Sequence, residues 1–214
     1  MILAYHLILS AYGFWLPNDP RGSWSSYVGS RQLYAFGPAT KTDTRRSVAA
    51  QPHDAQLRRA AKQALLRPPV IFTGLQARAI ARGMGDFFIR CQLTVPAFAI
   101  MPDHLHLVVL RQDFRIEHLA NLLKGAATRQ LLAEGLHPFP QRDAKGRLPH
   151  IFARDGWYVF LHTEADLARA IRYVESNPLR AGLKRQTWPF VTPQTARPKL
   201  AANRTEPPNP PPAY

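Results

Sequence analysis

The chain has 214 residues, with 28 Lys and Arg against 14 Asp and Glu, and its formal net charge of +14 is spread along the sequence instead of sitting in a tail. That length suits one domain of ordinary size with a hydrophobic core and some elaboration, and the charge favours a polyanionic partner, nucleic acid above all. No apolar run approaches the roughly 20 residues of a membrane-spanning helix, the first ten residues lack the basic start of a secretory leader, and Cys91, the single cysteine, excludes an intrachain disulfide and a thiolate zinc cluster; the expectation is a cytoplasmic protein with no membrane partner, whose metal ligands come from His, Asn or carboxylates.

Ala4 to Tyr12, AYHLILSAY, alternates Tyr5, Leu7 and Leu9 with His6, Ile8 and Ser10 and reads as a mostly buried strand. From Gly13 to Pro69 the texture changes to Pro, Gly and scattered aromatics, an insertion within the domain and not a second one; it holds one helix, Asp54 to Leu66, with a basic outer face. Thr73 and Gln76 have capping-box spacing ahead of a helix from Gly74 to Arg90. Val95 to Met101 and Leu105 to Leu110 are apolar runs separated by Pro102 and Asp103, either neighbouring antiparallel strands or one interrupted strand.

Asp113 is the expected cap of a helix that reaches Glu134 and stops at Gly135. Asn121, Lys124 and Thr128 share its polar face. His137 to Pro149 reads as a loop, Trp157 to Leu161 as the last strand, and Thr163 with Asp166 as the cap of a helix that should end near Asn177, because Pro178 follows. Residues 186–214 form a Pro-rich tail, largely disordered on compositional grounds. The organisation is thus one domain over residues 1–185, with an insertion at 13–69, followed by the tail.

Two groups of residues carry chemistry. His104 and His106 stand two apart at the start of a strand, so both imidazoles face one side while Leu105 faces the core. A His-x-His triplet arises by chance about 0.3 times in a sequence of this composition, so its weight comes from two polar rings entering an otherwise apolar strand. Tyr173 and Asn177 lie four residues apart on one helix face, off the buried stripe of Leu167, Ala170, Ile171 and Val174. Taken alone, Tyr173 serves equally as a packing aromatic and Asn177 as a helix end before proline.

The segments AFAIMPDHLHLVVL and AIRYVESNPLRAGL together resemble the two signature motifs of single-tyrosine HUH transposases, in particular the REP-associated tyrosine transposases of bacteria. AYHLILSAY, NLLKGAATRQ and ARDGWYVFL are also similar, so the resemblance spans residues 1–12 and 70–185 and leaves 13–69 unexplained. It implies an α+β fold, an antiparallel sheet flanked by helices in a ferredoxin-like or RRM-like arrangement, which the element order also suggests.

The resemblance further implies that His104 and His106 bind a divalent metal, Mg2+ or Mn2+, that Asn177 supplies a third ligand, and that Tyr173 is the nucleophile of a single-strand DNA transesterase forming a 5′-phosphotyrosine bond. A phenol is a poor nucleophile at neutral pH unless nearby charge favours the phenolate, a part open to the metal and to Arg172. Asp103 departs from the amide often found before the first histidine and offers a contact behind it. Arg21, Trp24, Lys124, Arg129 and Arg172 are candidate contacts to single-stranded or hairpin DNA. The implied location is the nucleoid, and a homodimer with the tyrosine helix shared across chains stays open. The competing readings are a noncatalytic DNA-binding regulator derived from such an enzyme, an RNA-binding module, which would need a strand aromatic motif that the sequence lacks, and a metal-dependent hydrolase with no covalent tyrosine.

Overall fold

A computed structural model describes residues 1–14, 16, 31–37, 54–154 and 156–192. Strands β1 (Ala4–Ser10), β2 (Ala97–Ile100), β3 (His104–Leu110) and β4 (Trp157–Leu161) and helices α1 (Ala55–Gln63), α2 (Gly74–Arg90), α3 (Ile116–Ala133) and α4 (Glu164–Arg180) follow in the order β1-α1-α2-β2-β3-α3-β4-α4, and a 3-10 turn covers Arg31–Phe36. The sheet order is β2-β3-β1-β4, with every neighbouring pair antiparallel. The units β1-α2-β2 and β3-α3-β4 interleave, which is the split β-α-β arrangement of ferredoxin-like and RRM-like folds and makes the class α+β, as expected. Of the two readings of the Val95–Leu110 region, neighbouring strands hold: the β2-β3 hairpin closes with the Met101 N–H donating to the His104 carbonyl at 2.8 Å.

Period-two alternation divides the sheet into two faces. Leu7, Leu9, Leu105, Leu107 and Val109 face α2 and α3, where they meet Ile80, Met84, Phe88, Leu119 and Leu123 in the main core. The opposite face offers Ala4, Ala97, Ala99, Val108 and Leu161 to Leu167, Ala170, Ile171 and Val174 of α4. Three alanines on that face leave room for a helix axis to lie close to the sheet.

The capping boxes form as the sequence predicts, with Thr73 paired to Gln76 and Thr163 to Asp166. Asp54 caps α1 by accepting from the Leu57 N–H at 2.8 Å; that helix ends at Gln63, earlier than the expected Leu66. Gly135, at φ +67°, stops α3 where expected, the Leu136 N–H reaching back to the Leu131 carbonyl at 2.7 Å.

Three expectations are corrected. Asp113 does not cap α3: the Gln112 side chain accepts from the Phe114 N–H and donates to its carbonyl, which tightens the preceding turn and moves the N-cap to Arg115, a residue with no side-chain cap bond. Nor does α4 end at Asn177, since Pro178 lies inside it. The proline removes one N–H and so one helical bond, but near the last turn that loss is offset by burial of its ring and by closure of the end, where the Leu183 N–H bonds the Pro178 carbonyl at 2.8 Å across Gly182 at φ +73°.

The folded body also extends beyond Arg185. Gln186 bonds both the N–H and the carbonyl of Ile100, at 2.8 and 2.7 Å, and Trp188, Phe190 and Val191 pack on the main core. The remainder of the Pro-rich tail lies outside the described residues. No helix among the described residues is long and apolar enough to cross a membrane.

Gly83 accounts for the close α2–α3 crossing, because a Cβ there would stand 2.7 Å from the Ala126 carbonyl oxygen and 2.7 Å from Gln130 Cβ. Gly83→Ala is expected to lower stability by about 1–3 kcal/mol, whereas Gly74→Ala, whose Cβ meets nothing within 4 Å, should be neutral or stabilising. Urea midpoints of the two variants test the contrast.

Candidate active site

The β1–β3 register places Ser10 across from His104, Ile8 across from His106 and His6 across from Val108. His6, Ile8 and Ser10 therefore share the α4 side of the sheet with His104 and His106, and His6 becomes the diagonal neighbour of His106.

The two expected histidines meet through their outer nitrogens, His104 Nε2 standing 2.9 Å from His106 Nε2. Each ring is also held from behind. His104 Nδ1 lies 2.7 Å from the Asp103 carboxylate, which can only accept, so Nδ1 donates and a neutral ring keeps its lone pair on Nε2. His106 Nδ1 lies 3.1 Å from His6 Nε2. Phe14 packs on the His104 ring at 4.7 Å between centroids.

His106 is 2 % exposed and His6 8 % exposed. Burial pushes the His106 pKa well below its ordinary value of 6.5, and the neighbouring His104 and His6 push the same way. Burial alone lowers His6 to about 4. Both rings are therefore neutral at physiological pH, the form in which an imidazole can bind a cation.

Helix α4 brings the second group to the same place. The Tyr173 ring stands 5.4 Å from the His106 ring and 5.8 Å from the His6 ring, edge-on to both, and remains 42 % exposed, so the side chain lines the site while staying open to an incoming ligand. Asn177, one turn on, has a buried Nδ2 with no hydrogen-bond partner among the described residues, and the buried Ser10 Oγ across from His104 has none among them either.

A divalent cation fits this arrangement on three grounds. Two ligand bonds of about 2.1 Å at a right angle set donor atoms about 3 Å apart, close to the observed Nε2 separation. The rear contact to Asp103 leaves the His104 lone pair facing forward. The Asn177 amide, one helical turn from Tyr173, can put Oδ1 where its unpartnered Nδ2 stands by a half-turn about its last torsion. Among the described residues no group of three or more His, Cys, Asp or Glu is arranged for a metal, and Asn177 offers an oxygen ligand of another type.

His6 is the site residue that sequence reasoning missed. The signal was available: a polar ring inside an apolar strand requires a partner, the argument that singled out His104 and His106. Without the β1–β3 register, nothing in the sequence tied it to residues a hundred positions away.

The candidate DNA contacts separate. Lys124 and Arg129 line a groove of about 1010 Å³ between α3 and the 148–154 segment, joined by Arg67, Arg142 and Arg154, with no acidic residue among the described residues of the lining. Lys124 is largely buried there, and its ammonium donates to the Ala153 and Arg154 carbonyls at 2.8 and 2.9 Å; it braces the groove wall, where a freely offered cation was expected. The groove floor is tied to the His104 end of β1 by the Ala11–Phe152 bridge and the Ala153 N–H bond to the Ser10 carbonyl. Arg172 is exposed on α4 beside Tyr173, away from the groove lining. Arg21 and Trp24 lie outside the described residues.

Unfolding frees both buried imidazoles to titrate near 6.5, so the unfolded chain takes up protons that the folded chain refuses. Stability of the metal-free protein is therefore expected to be full above pH 6.5 and to fall as pH drops from there towards 4, by roughly 3 kcal/mol from His6. Urea titrations in EDTA across that range test it, and a flat profile would contradict the burial of neutral rings.

No protein-family model and no curated protein matches the chain. Among solved structures it is similar to a REP-associated tyrosine transposase bound to a REP hairpin, at 13 % identity and a TM-score of 0.45, over 88 % of this chain and 74 % of that one. It is also similar to a protein from Deinococcus radiodurans R1 described as a transposase, at 15 % identity and a TM-score of 0.38, over 82 % of this chain and 91 % of that one.

Proposed function

We propose that the chain is a metal-dependent enzyme that cuts and rejoins single-stranded DNA through a covalent tyrosine intermediate, as transposases of the single-tyrosine type do. The observation that carries this reading is the meeting of the Tyr173 ring with His106, whose Nε2 pairs with that of His104, on one face of the sheet.

His104, His106 and Asn177 would hold the cation, with two imidazole nitrogens tilting the choice from Mg2+ towards Mn2+. Bound there, the cation would supply Lewis-acid polarisation of the scissile phosphate. Tyr173 Oη attacks phosphorus, the bond from phosphorus to the 3′ oxygen breaks, the phenol gives up its proton and the departing 3′ oxygen takes one. One phosphodiester is exchanged for another, so the 3′-hydroxyl of a second strand can attack the phosphotyrosine and restore a DNA linkage without ATP. The exposure of Tyr173 suits a nucleophile better than a packing aromatic.

The groove, whose described charged lining residues are basic, suits the flanking DNA, either strand or hairpin stem, because its cations neutralise phosphates without reading bases. Its floor leads to the His104 end of β1, so one substrate could occupy groove and site together. This continuity favours an enzyme over a regulator that retains only the groove.

Incubation with a labelled single-stranded hairpin and Mn2+, followed by denaturation, is expected to show a labelled protein adduct. Tyr173→Phe should abolish the adduct and His104→Ala should abolish cleavage with DNA binding retained; cleavage without an adduct, or an adduct that survives Tyr173→Phe, would refute the mechanism. Arg129→Ala and Arg142→Ala should each weaken binding to unrelated sequences alike and reduce the logarithmic salt slope by about 0.7. Unchanged slopes would remove the groove from the DNA path.

A further inference from the structure

We infer that His6 is a positioning residue for His106: with a cation bound, its Nε2 receives the His106 Nδ1–H and so holds the tautomer that turns the His106 Nε2 lone pair towards the cation beside His104. The inference rests on the proposed metal site and adds a residue to it.

An imidazole can bind a cation through Nε2 only if its remaining proton sits on Nδ1, and that proton needs an acceptor when the ring is buried. For His104 the acceptor is Asp103, at 2.7 Å. For His106, 2 % exposed, the nitrogen within reach of Nδ1 is His6 Nε2 at 3.1 Å. A carboxylate behind one ring and an imidazole behind the other thus do the same work.

His6 is poorly placed to be a ligand itself. Its Nε2 is directed at Nδ1 of His106, on the far side of that ring from the Nε2 pair, and it is 8 % exposed beneath the Tyr173 ring. The sheet holds it there: His6 pairs with Val108, one step diagonally from His106, between the neighbours Tyr5 and Leu7, the latter wholly buried on the other face.

An imidazole can also donate from Nε2, so without a cation the chain of contacts can run the other way, His6 donating to His106 and His106 to His104. Cation binding would then be accompanied by a change of tautomer in His106, with the proton carried on Nδ1 in the loaded state.

The test uses the full chain. Binding of Mn2+ alone, followed by loss of its free-ion EPR signal, is expected to weaken about 10- to 100-fold in His6→Ala and to recover largely in His6→Gln, whose amide oxygen can accept the same N–H. Ring 15N NMR of the wild-type protein with Mg2+ should show His106 protonated on Nδ1. Wild-type affinity in His6→Ala, equal losses in the Ala and Gln variants, or a proton on His106 Nε2 with Mg2+ bound would each overturn the inference. His104→Ala separates the two levels: if it too leaves Mn2+ affinity unchanged, the metal site itself fails, whereas loss in His104→Ala with none in His6→Ala removes only the role of His6. Should His6→Ala fail to fold, the tautomer in the wild-type chain still decides.

Discussion

The antiparallel pairing of β1 with β3 is the constraint on which the site depends. It sets Ser10, Ile8 and His6 against His104, His106 and Val108, and a slip of one residue would send one strand's polar set to the opposite face. What fixes the register is the other side of the sheet, where Leu7, Leu9, Leu105 and Leu107 are wholly buried. Each such side chain contributes about 1.5–3 kcal/mol, against about 0.5–1.5 kcal/mol for a typical hydrogen bond. Four leucines outweigh the two histidine contacts several-fold, so the imidazoles are aligned by a hydrophobic core that they do not touch.

The second fixed element is α4. Small residues on the sheet, Ala4, Ala97 and Ala99, and the apolar stripe from Leu167 to Val174 set its seat, and beside that stripe the helix carries Tyr173 against the His6 and His106 rings. Continuation of the helix through Pro178 keeps Asn177 in helical geometry, one turn from Tyr173; a helix broken at that residue would have left its side-chain direction to a loop. The chain then returns through Gln186, whose amide bonds both backbone groups of Ile100 on edge strand β2. That pairing imitates a fifth strand at one residue and blunts an edge that would otherwise be open to another chain.

Much of this was legible because local rules and packing agreed. The box of Thr73 and Gln76 and that of Thr163 and Asp166 specify helix starts within the sequence itself, and the spacing of His104 and His106 follows from strand pleating alone. The illegible parts are those decided by distant contacts. His6 has no sequence neighbour that marks it; only the pairing of β1 with β3 gives it a partner. Asp113 has the chemistry of a cap but lost its position to the Gln112 turn. Asn-Pro reads as a stop on local sterics, and the burial of Pro178 and the Gly182 closure override it. Glycines are poor helix formers, yet within α2 Gly83 is what allows α3 to approach and Gly85 leaves room for the Phe190 ring, 2.5 Å from where a Cβ would stand.

On the proposed reading, the charge of the chain and its chemistry are kept apart by the same sheet. The cations of the groove, Arg67, Arg129, Arg142 and Arg154 among them, lie with α3 on one side, while the other side presents neutral buried imidazoles under α4. Cations beside the histidines would compete electrostatically with a bound metal and depress its affinity; placed in the groove, they draw in phosphates at a distance where salt screening governs them. The segment from Ile151 to Ala153 joins the two, bonded to Tyr12 and Ser10 of the first strand and its extension and held from α3 by Lys124. Lys124 is largely buried and donates to two carbonyls of that loop, which is the floor on which a strand would pass from the basic groove to the histidine pair.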